Sequence, residues 1–137
     1  MKAVVDTNVV AYYLLETEPF VEECRRFWRA ADELTAPASW QSELVNVLWL
    51  AVRQKVITES EAQNRLSLAS TLSIQSIAVV DLWQGALSRS CTFDISPYDM
   101  LFVELADREG LSLATFDKEV IKAFPSLAMH PGKLATS

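Results

Sequence analysis

The sequence predicts an α/β fold, one domain in which a parallel sheet of about four or five short strands carries helices on both faces. Two observations carry this. Short apolar runs alternate along the chain with stretches of helical period, the order that builds a parallel sheet through helical crossovers. The chain has 137 residues, half of them apolar and 22% charged, enough for one buried core without disulfide staples and too few for a second. No repeat, low-complexity segment or linker interrupts residues 1–137.

Each element has its own signal. Residues 2–5 are a short apolar run and read as a buried strand; a helix follows over about 9–15, and residues 16–19 break its pattern. Phe20, Cys24, Phe27, Trp28 and Ala31 lie at i, i+4, i+7, i+8 and i+11, the stripe of an amphipathic helix. Residues 34–36 form a second strand, closed by Pro37. A long helix then runs over about 39–54, with Trp40, Leu44, Val47, Leu48 and Ala51 on its apolar side. Thr58-Glu59-Ser60-Glu61 is a capping box, whose hydroxyl and carboxylate satisfy each other's orphan backbone N–H groups, and it opens a helix to about 72. Residues 77–80 read as extended, 82–90 as helical and 92–95 as a strand. Ser96-Pro97 supplies a cap and a proline at the first helical position, and Gly110 ends that helix. Residues 111–115 are the last strand, 118–124 a short helix, and the tail after about 128 is expected to be loose.

Composition removes several kinds of chemistry. The net charge of −6 and a sequence pI near 4.7 argue against a surface that grips nucleic acid by bulk positive charge. His130 is the single histidine and sits in a His-Pro-Gly-Lys tail, which disfavours a Ser-His-Asp triad. Cys24 and Cys91 are far apart with no histidine beside them, so they read as buried thiols of a reducing compartment rather than zinc ligands. Three glycines cannot make a dinucleotide or Walker loop. Asp6 and Asn8 interrupt the apolar N-terminal stretch, which is therefore not read as a signal peptide, and no apolar run approaches a bilayer span. The expected location is the cytoplasm.

Parallel sheets place their sites beyond the carboxyl ends of their strands, and four acids draw attention there. Asp6 follows the strand at 2–5, Asp99 lies in the first turn of the helix after the strand expected at 92–95, and Asp117 follows the strand at 111–115. Glu43 lies on the core-facing stripe of its helix, three residues after Trp40 and four before Val47. Each has an ordinary explanation: Asp6 and Asp117 as helix caps, Asp99 as an acid at the positive end of a helix dipole, Glu43 as a side chain tilted into solvent. Together they lack any base placed to cancel their charge, and two carboxylates 4 Å apart repel by about 4 kcal/mol at an effective dielectric of 20. Divalent cations reverse the sign of that interaction, and an all-oxygen donor set selects hard ions, Mg²⁺ or Mn²⁺.

These residues, in their order, resemble the PIN-domain nucleases, and more closely the VapC-type toxins of toxin–antitoxin pairs. The resemblance spans essentially the whole chain: Val4-Val5-Asp6-Thr7-Asn8, then Ser42-Glu43-Leu44-x-Asn46-Val47-Leu48, then residues 98–106 from Tyr98-Asp99 to Ala106, then Leu113-Ala114-Thr115-Phe116-Asp117. It implies a PIN-like fold, and Asp6, Glu43, Asp99 and Asp117 as the catalytic and metal-binding quartet. Thr7, Asn8 and Thr115 match the small polar residues that support it. Glu119 stands where some members carry a further acid and is not placed with the four; Asp94 and Glu104 read as surface acids. The resemblance further implies hydrolysis of RNA phosphodiester bonds with bound Mg²⁺ or Mn²⁺, a homodimer, and silencing by a cognate VapB-type antitoxin, with no membrane partner. A groove on the first two helices, around Tyr12 and Tyr13, is the expected antitoxin seat. Trp28, Trp40 and Trp49 read as core residues rather than base-stacking platforms, and Glu22 with Arg26 as a helix-surface ion pair. A phosphatase that works through an aspartyl-phosphate needs Asp-x-Asp and finds Asn8 in second place. The remaining alternative is a PIN-like module that binds RNA or a partner without cutting.

Overall fold

A computed structural model describes residues 1–136. Its strands are β1 (Lys2–Val5), β2 (Glu33–Pro37), β3 (Ile74–Ile77), β4 (Ser112–Ala114) and β5 (Ala128–Met129). They lie in the order β3-β2-β1-β4-β5, and every pairing is parallel. The connections are filled by α1 (Thr7–Leu14), α2 (Val21–Ala30), α3 (Trp40–Arg53), α4 (Glu59–Ala69), α5 (Trp83–Phe93), α6 (Pro97–Glu109), α7 (Lys118–Ala123) and α8 (Pro131–Thr136). A single 3₁₀ turn, Val79–Asp81, leads into α5.

Because Ala3, Val4 and Val5 are all wholly buried, successive side chains of β1 meet protein on both faces, as a strand at the centre of a parallel sheet requires. Helix α6 lies across β1, β2 and β4 and buries Met100, Phe102, Val103, Leu105 and Ala106. Helix α3 buries Trp40, Leu44, Leu48 and Ala51, the stripe that its period predicts. The capping box at Thr58 and Glu61 is formed, with both bonds 3.1 Å long. The chain runs β1 to β2 to β3 on one side and then returns to place β4 against the other side of β1. At that reversal the connections leave β1 and β4 in opposite directions and open a crevice beyond their carboxyl ends.

The structure departs from the sequence reading in several elements and side chains. Residues 92–95 are not a strand: α5 continues to Phe93, Thr92 Oγ1 donates to the Ser88 carbonyl at 3.0 Å, and Asp94 ends the helix in the left-handed region at φ 55°. The β-branched and aromatic residues there suggest a strand, yet Thr92 and Phe93 are exposed, which a strand buried on both faces could not be. The extended segment expected at 77–80 is β3, three residues earlier; it is an edge strand with Gln75 and Ser76 exposed, so it lacks a continuous apolar run. The tail is not loose. Ala128 pairs with Leu113, Leu134 is buried, and α8 packs on α2, where the Gly132 N–H donates to Glu23 Oε2 at 2.9 Å. Finally, Cys91 and Trp49 are exposed rather than core, Trp49 lying under the Arg53 guanidinium at 5.4 Å, while Cys24 and Trp40 are buried.

Candidate acidic site

Asp6 is the residue at which β1 becomes α1, and it is 6% exposed. Its backbone is held to the sheet by an N–H donated to the Ala114 carbonyl at 3.0 Å. Its carboxylate does not cap α1. Instead Oδ2 accepts from the Thr115 hydroxyl at 2.7 Å and from Asn8 Nδ2 at 3.5 Å. Asn8 also donates to Thr115 Oγ1 at 3.3 Å and accepts from the Phe116 N–H at 3.3 Å, so it ties the ends of β1 and β4 together. Thr115 Oγ1 further accepts from the Asp117 N–H at 3.0 Å. Of the three polar residues picked out in the sequence, Thr115 bonds Asp6, Asn8 braces the two loops, and Thr7 is buried with its hydroxyl unbonded.

Asp99 reaches the crevice from the first turn of α6, not from the end of a strand. Asp117 has two relations at once. Its Oδ1 caps α7 by accepting from Glu119 N at 2.9 Å and Val120 N at 3.3 Å, so the helix-cap explanation holds for Asp117 and fails for Asp6. Glu43 projects from the first turn of α3, half-buried, with Oε1 shielded from solvent and without a hydrogen-bond partner. The Thr7 and Ser39 hydroxyls stand near it and favour its ionised form, but neither closes a bond of ordinary geometry.

The electrostatics bind these separate side chains into one site. Burial, Asp99 and Asp117 push the Asp6 carboxyl up to about 6 against the opposing Thr115 hydroxyl. Burial first, then Asp6 and Asp99, pushes Glu43 up to about 7. Burial first, then Asp117 and Glu119, pushes Asp99 up to about 6. No cation is among the charges acting on these three. Glu119 therefore joins the field of the site, a role its place in the first turn of α7 next to Asp117 could have signalled. Glu104 differs from the surface acid expected: it is largely buried between α5 and α6, paired with Arg89 and Arg108, each at 3.3 Å. Arg25 rather than Arg26 pairs with Glu22. Among the described residues, no group of three acidic, histidine or cysteine side chains is arranged to hold a metal ion.

The family model described as PIN domain matches residues 3–125. The chain belongs to the PIN-domain family. This PIN domain is 30% identical over 131 residues to Ribonuclease VapC3 of Pyrobaculum aerophilum, a match covering 93% of this chain and 98% of that protein. It is 29% identical over 126 residues to the Ribonuclease VapC3 of Mycobacterium tuberculosis, covering 91% and 89%. Two solved structures share its fold. Mycobacterium tuberculosis VapC20, described as a sarcin–ricin loop cleaving toxin, superposes with a TM-score of 0.70 at 16% identity over 88% of this chain and 94% of that one. A toxin–antitoxin complex from Klebsiella pneumoniae superposes with a TM-score of 0.67 at 15% identity over 94% and 97%. The parallel sheet flanked by helices, read from the sequence as PIN-like, is the PIN fold.

Proposed function

We propose that this chain is a VapC-type toxin, an endoribonuclease that hydrolyses RNA phosphodiester bonds with Mg²⁺ or Mn²⁺ and is silenced by a VapB-type antitoxin. The observation that carries the reading is the acidic crevice: three carboxyls raised to about 6, 7 and 6 by burial and by one another, in a chain 30% identical to a protein named as a ribonuclease. A cluster that raises its own proton affinity destabilises the native state while ionised, and a bound cation relieves that cost.

The donor set fits a hard divalent ion. It is all oxygen, it has no competing base, and Glu43 Oε1 is a buried acceptor without a partner. Asp6 and Asp99 would hold the ion, and Glu43 and Asp117 would complete its surroundings. When bound, such an ion supplies Lewis acidity, which turns water into a nucleophile near neutral pH and neutralises charge at phosphorus. The chain's own residues do the positioning. Thr115 fixes the plane of the Asp6 carboxylate through its 2.7 Å bond. Asn8 keeps the loops after β1 and β4 at a constant separation, and the α7 cap holds Asp117 at the rim. His130 pairs with Glu23 on α2 rather than with the quartet, so the bases at hand there are carboxylates, Glu43 raised to about 7 among them.

The antitoxin is assigned to the groove between α1, α2 and α4, lined by Tyr13, Leu14, Arg25, Arg65, Leu68 and Leu72, about 240 Å³ in volume. Homodimerisation is assigned to the exposed apolar face of Val80, Trp83, Leu87 and Tyr98. Among the described residues, no helix is long and apolar enough to cross a membrane. The free thiols Cys24 and Cys91 support placement in the cytoplasm.

The test is incubation of purified, antitoxin-free protein with a mixed RNA pool in Mn²⁺ or Mg²⁺, in EDTA, and with Asp6→Asn alongside. Cutting that needs the metal and is lost in the variant is the expected result. The separation of the acids favours a second reading, a module that binds RNA or a partner without cutting. RNA retained on the protein but left whole across the pool would favour it.

A further inference from the structure

Glu43 owes its place to α3, but what sets the direction of its carboxylate is a second set of residues. Ser39 immediately precedes α3 and has the residue type of an N-cap, yet its hydroxyl makes no cap bond and its backbone is helical, at φ −59° and ψ −19°. A capping serine sits in the extended region and accepts from the helix N–H groups. Here the Ser39 carbonyl accepts from the Glu43 N–H at 3.1 Å, which sets Ser39 and Glu43 one turn apart on a single face. The Ala38 N–H donates to the Ile77 carbonyl at 2.7 Å, so the loop carrying Ser39 is fixed to β3. From the other side of the crevice comes Thr7, buried as the first residue of α1.

Ser39 Oγ, Thr7 Oγ1 and Glu43 Oε1 are each shielded from solvent, and none closes a hydrogen bond. Two of these atoms are donors and one is an acceptor. A buried hydroxyl left unbonded is costly, and an unbonded carboxylate oxygen more so. The two hydroxyls are the neutral donors beside that carboxylate, and Asp6 and Asp99 are its charged neighbours.

We propose that Ser39 is a positioning residue: with Thr7 it clamps the Glu43 carboxylate so that its remaining lone pairs face Asp6 and Asp99, where a divalent ion is held. The inference rests on the metal-site reading of the acidic crevice and assigns Ser39 a part in it. Ser39 forgoes capping α3 because its hydroxyl serves Glu43. The effect on the ion is indirect, through the orientation of one ligand, and partners of this kind change metal affinity by about 10–100-fold when removed.

The experiment is titration of the full-length protein with Mn²⁺ alone, by calorimetry and by the shift in melting temperature, for wild type, Ser39→Ala and Ser39→Thr. Ser39→Gly, which keeps a good N-terminal backbone for α3, stands in if Ser39→Ala does not fold. The expected result is Mn²⁺ affinity weakened about tenfold or more in Ser39→Ala, its melting temperature in EDTA unchanged, and affinity restored in Ser39→Thr. Affinity in Ser39→Ala within twofold of wild type overturns the proposal and leaves the metal site standing. A wild type that does not bind Mn²⁺ overturns the metal-site reading and the clamp together.

Discussion

Asp6 concentrates the conflict between folding and chemistry. It is buried at the junction of β1 and α1, and the charges nearest to it are Asp99 and Asp117. Its rise from 3.8 to about 6 means that ionising it in the native state costs about 3 kcal/mol at most. Asp6→Asn keeps an acceptor for Thr115 and removes the charge. In EDTA at pH 8 it should stabilise the protein by about 1–3 kcal/mol by urea denaturation. Destabilisation by a similar amount would mean that the carboxylate is a structural cap after all. The sign with pH follows from the same rise. A carboxyl that holds its proton more tightly when folded supports the native state at low pH. That support is full below the unfolded value near 4 and is lost as pH climbs through about 6 for Asp6 and Asp99 and about 7 for Glu43. The stability difference between wild type and Asp6→Asn in EDTA should therefore widen from pH 5 to pH 8. The affinity for Mn²⁺ should rise over the same range, since the ion displaces the protons.

At the scale of elements, the ends of helices carry the testable content. Asp94 closes α5 in the left-handed region, which glycine adopts without the steric cost borne by a side chain. Asp94→Gly should stabilise by about 0.5–1 kcal/mol, read by urea denaturation. Leu134 fixes α8 against the rest of the chain, so Leu134→Ala should cost about 2–4 kcal/mol; a loose tail would register nothing. These two places also show where the sequence was legible and where it was not. Elements with one apolar face, such as α3 with Trp40, Leu44, Leu48 and Ala51, announce themselves through period alone. Residues 92–95 did not, because Thr92 and Phe93 have strand propensity while tertiary packing of α5 on α6 decides the outcome. The last strand and α8 are too short for any period to appear. The four acids proposed for the site could be picked out because buried charge without a base is anomalous in sequence. Asp99 was reached by a wrong route, through a strand that is helix. Ser39 stayed hidden because nothing in its spacing shows that the fold turns it toward Glu43, whereas Glu119, noticed beside Asp117, was set apart from the four and yet acts on Asp99.

The whole molecule pairs an acidic crevice at the reversal point of a parallel sheet with an apolar face on the 3₁₀ turn, α5 and the start of α6. Trp83, Leu87 and Tyr98 are 56%, 61% and 68% exposed, a contiguous demand for a partner that isolated surface leucines do not make. Trp83→Arg should convert a dimer to a monomer in sedimentation while leaving the melting transition of the monomer cooperative. A wild type that sediments as a monomer at high concentration would remove the dimer assignment. The central claim is chemical: the carboxylates and the ion they hold perform the cutting, with no histidine at the quartet. The most direct measurement is the identity of the RNA ends produced in Mn²⁺ and in EDTA. Attack by water leaves linear phosphate ends, and these should appear only with the metal present. Ends carrying 2′,3′-cyclic phosphate, or cutting that persists in EDTA, would mean that the RNA's own 2′-hydroxyl is the nucleophile and that the acidic crevice has been given the wrong role.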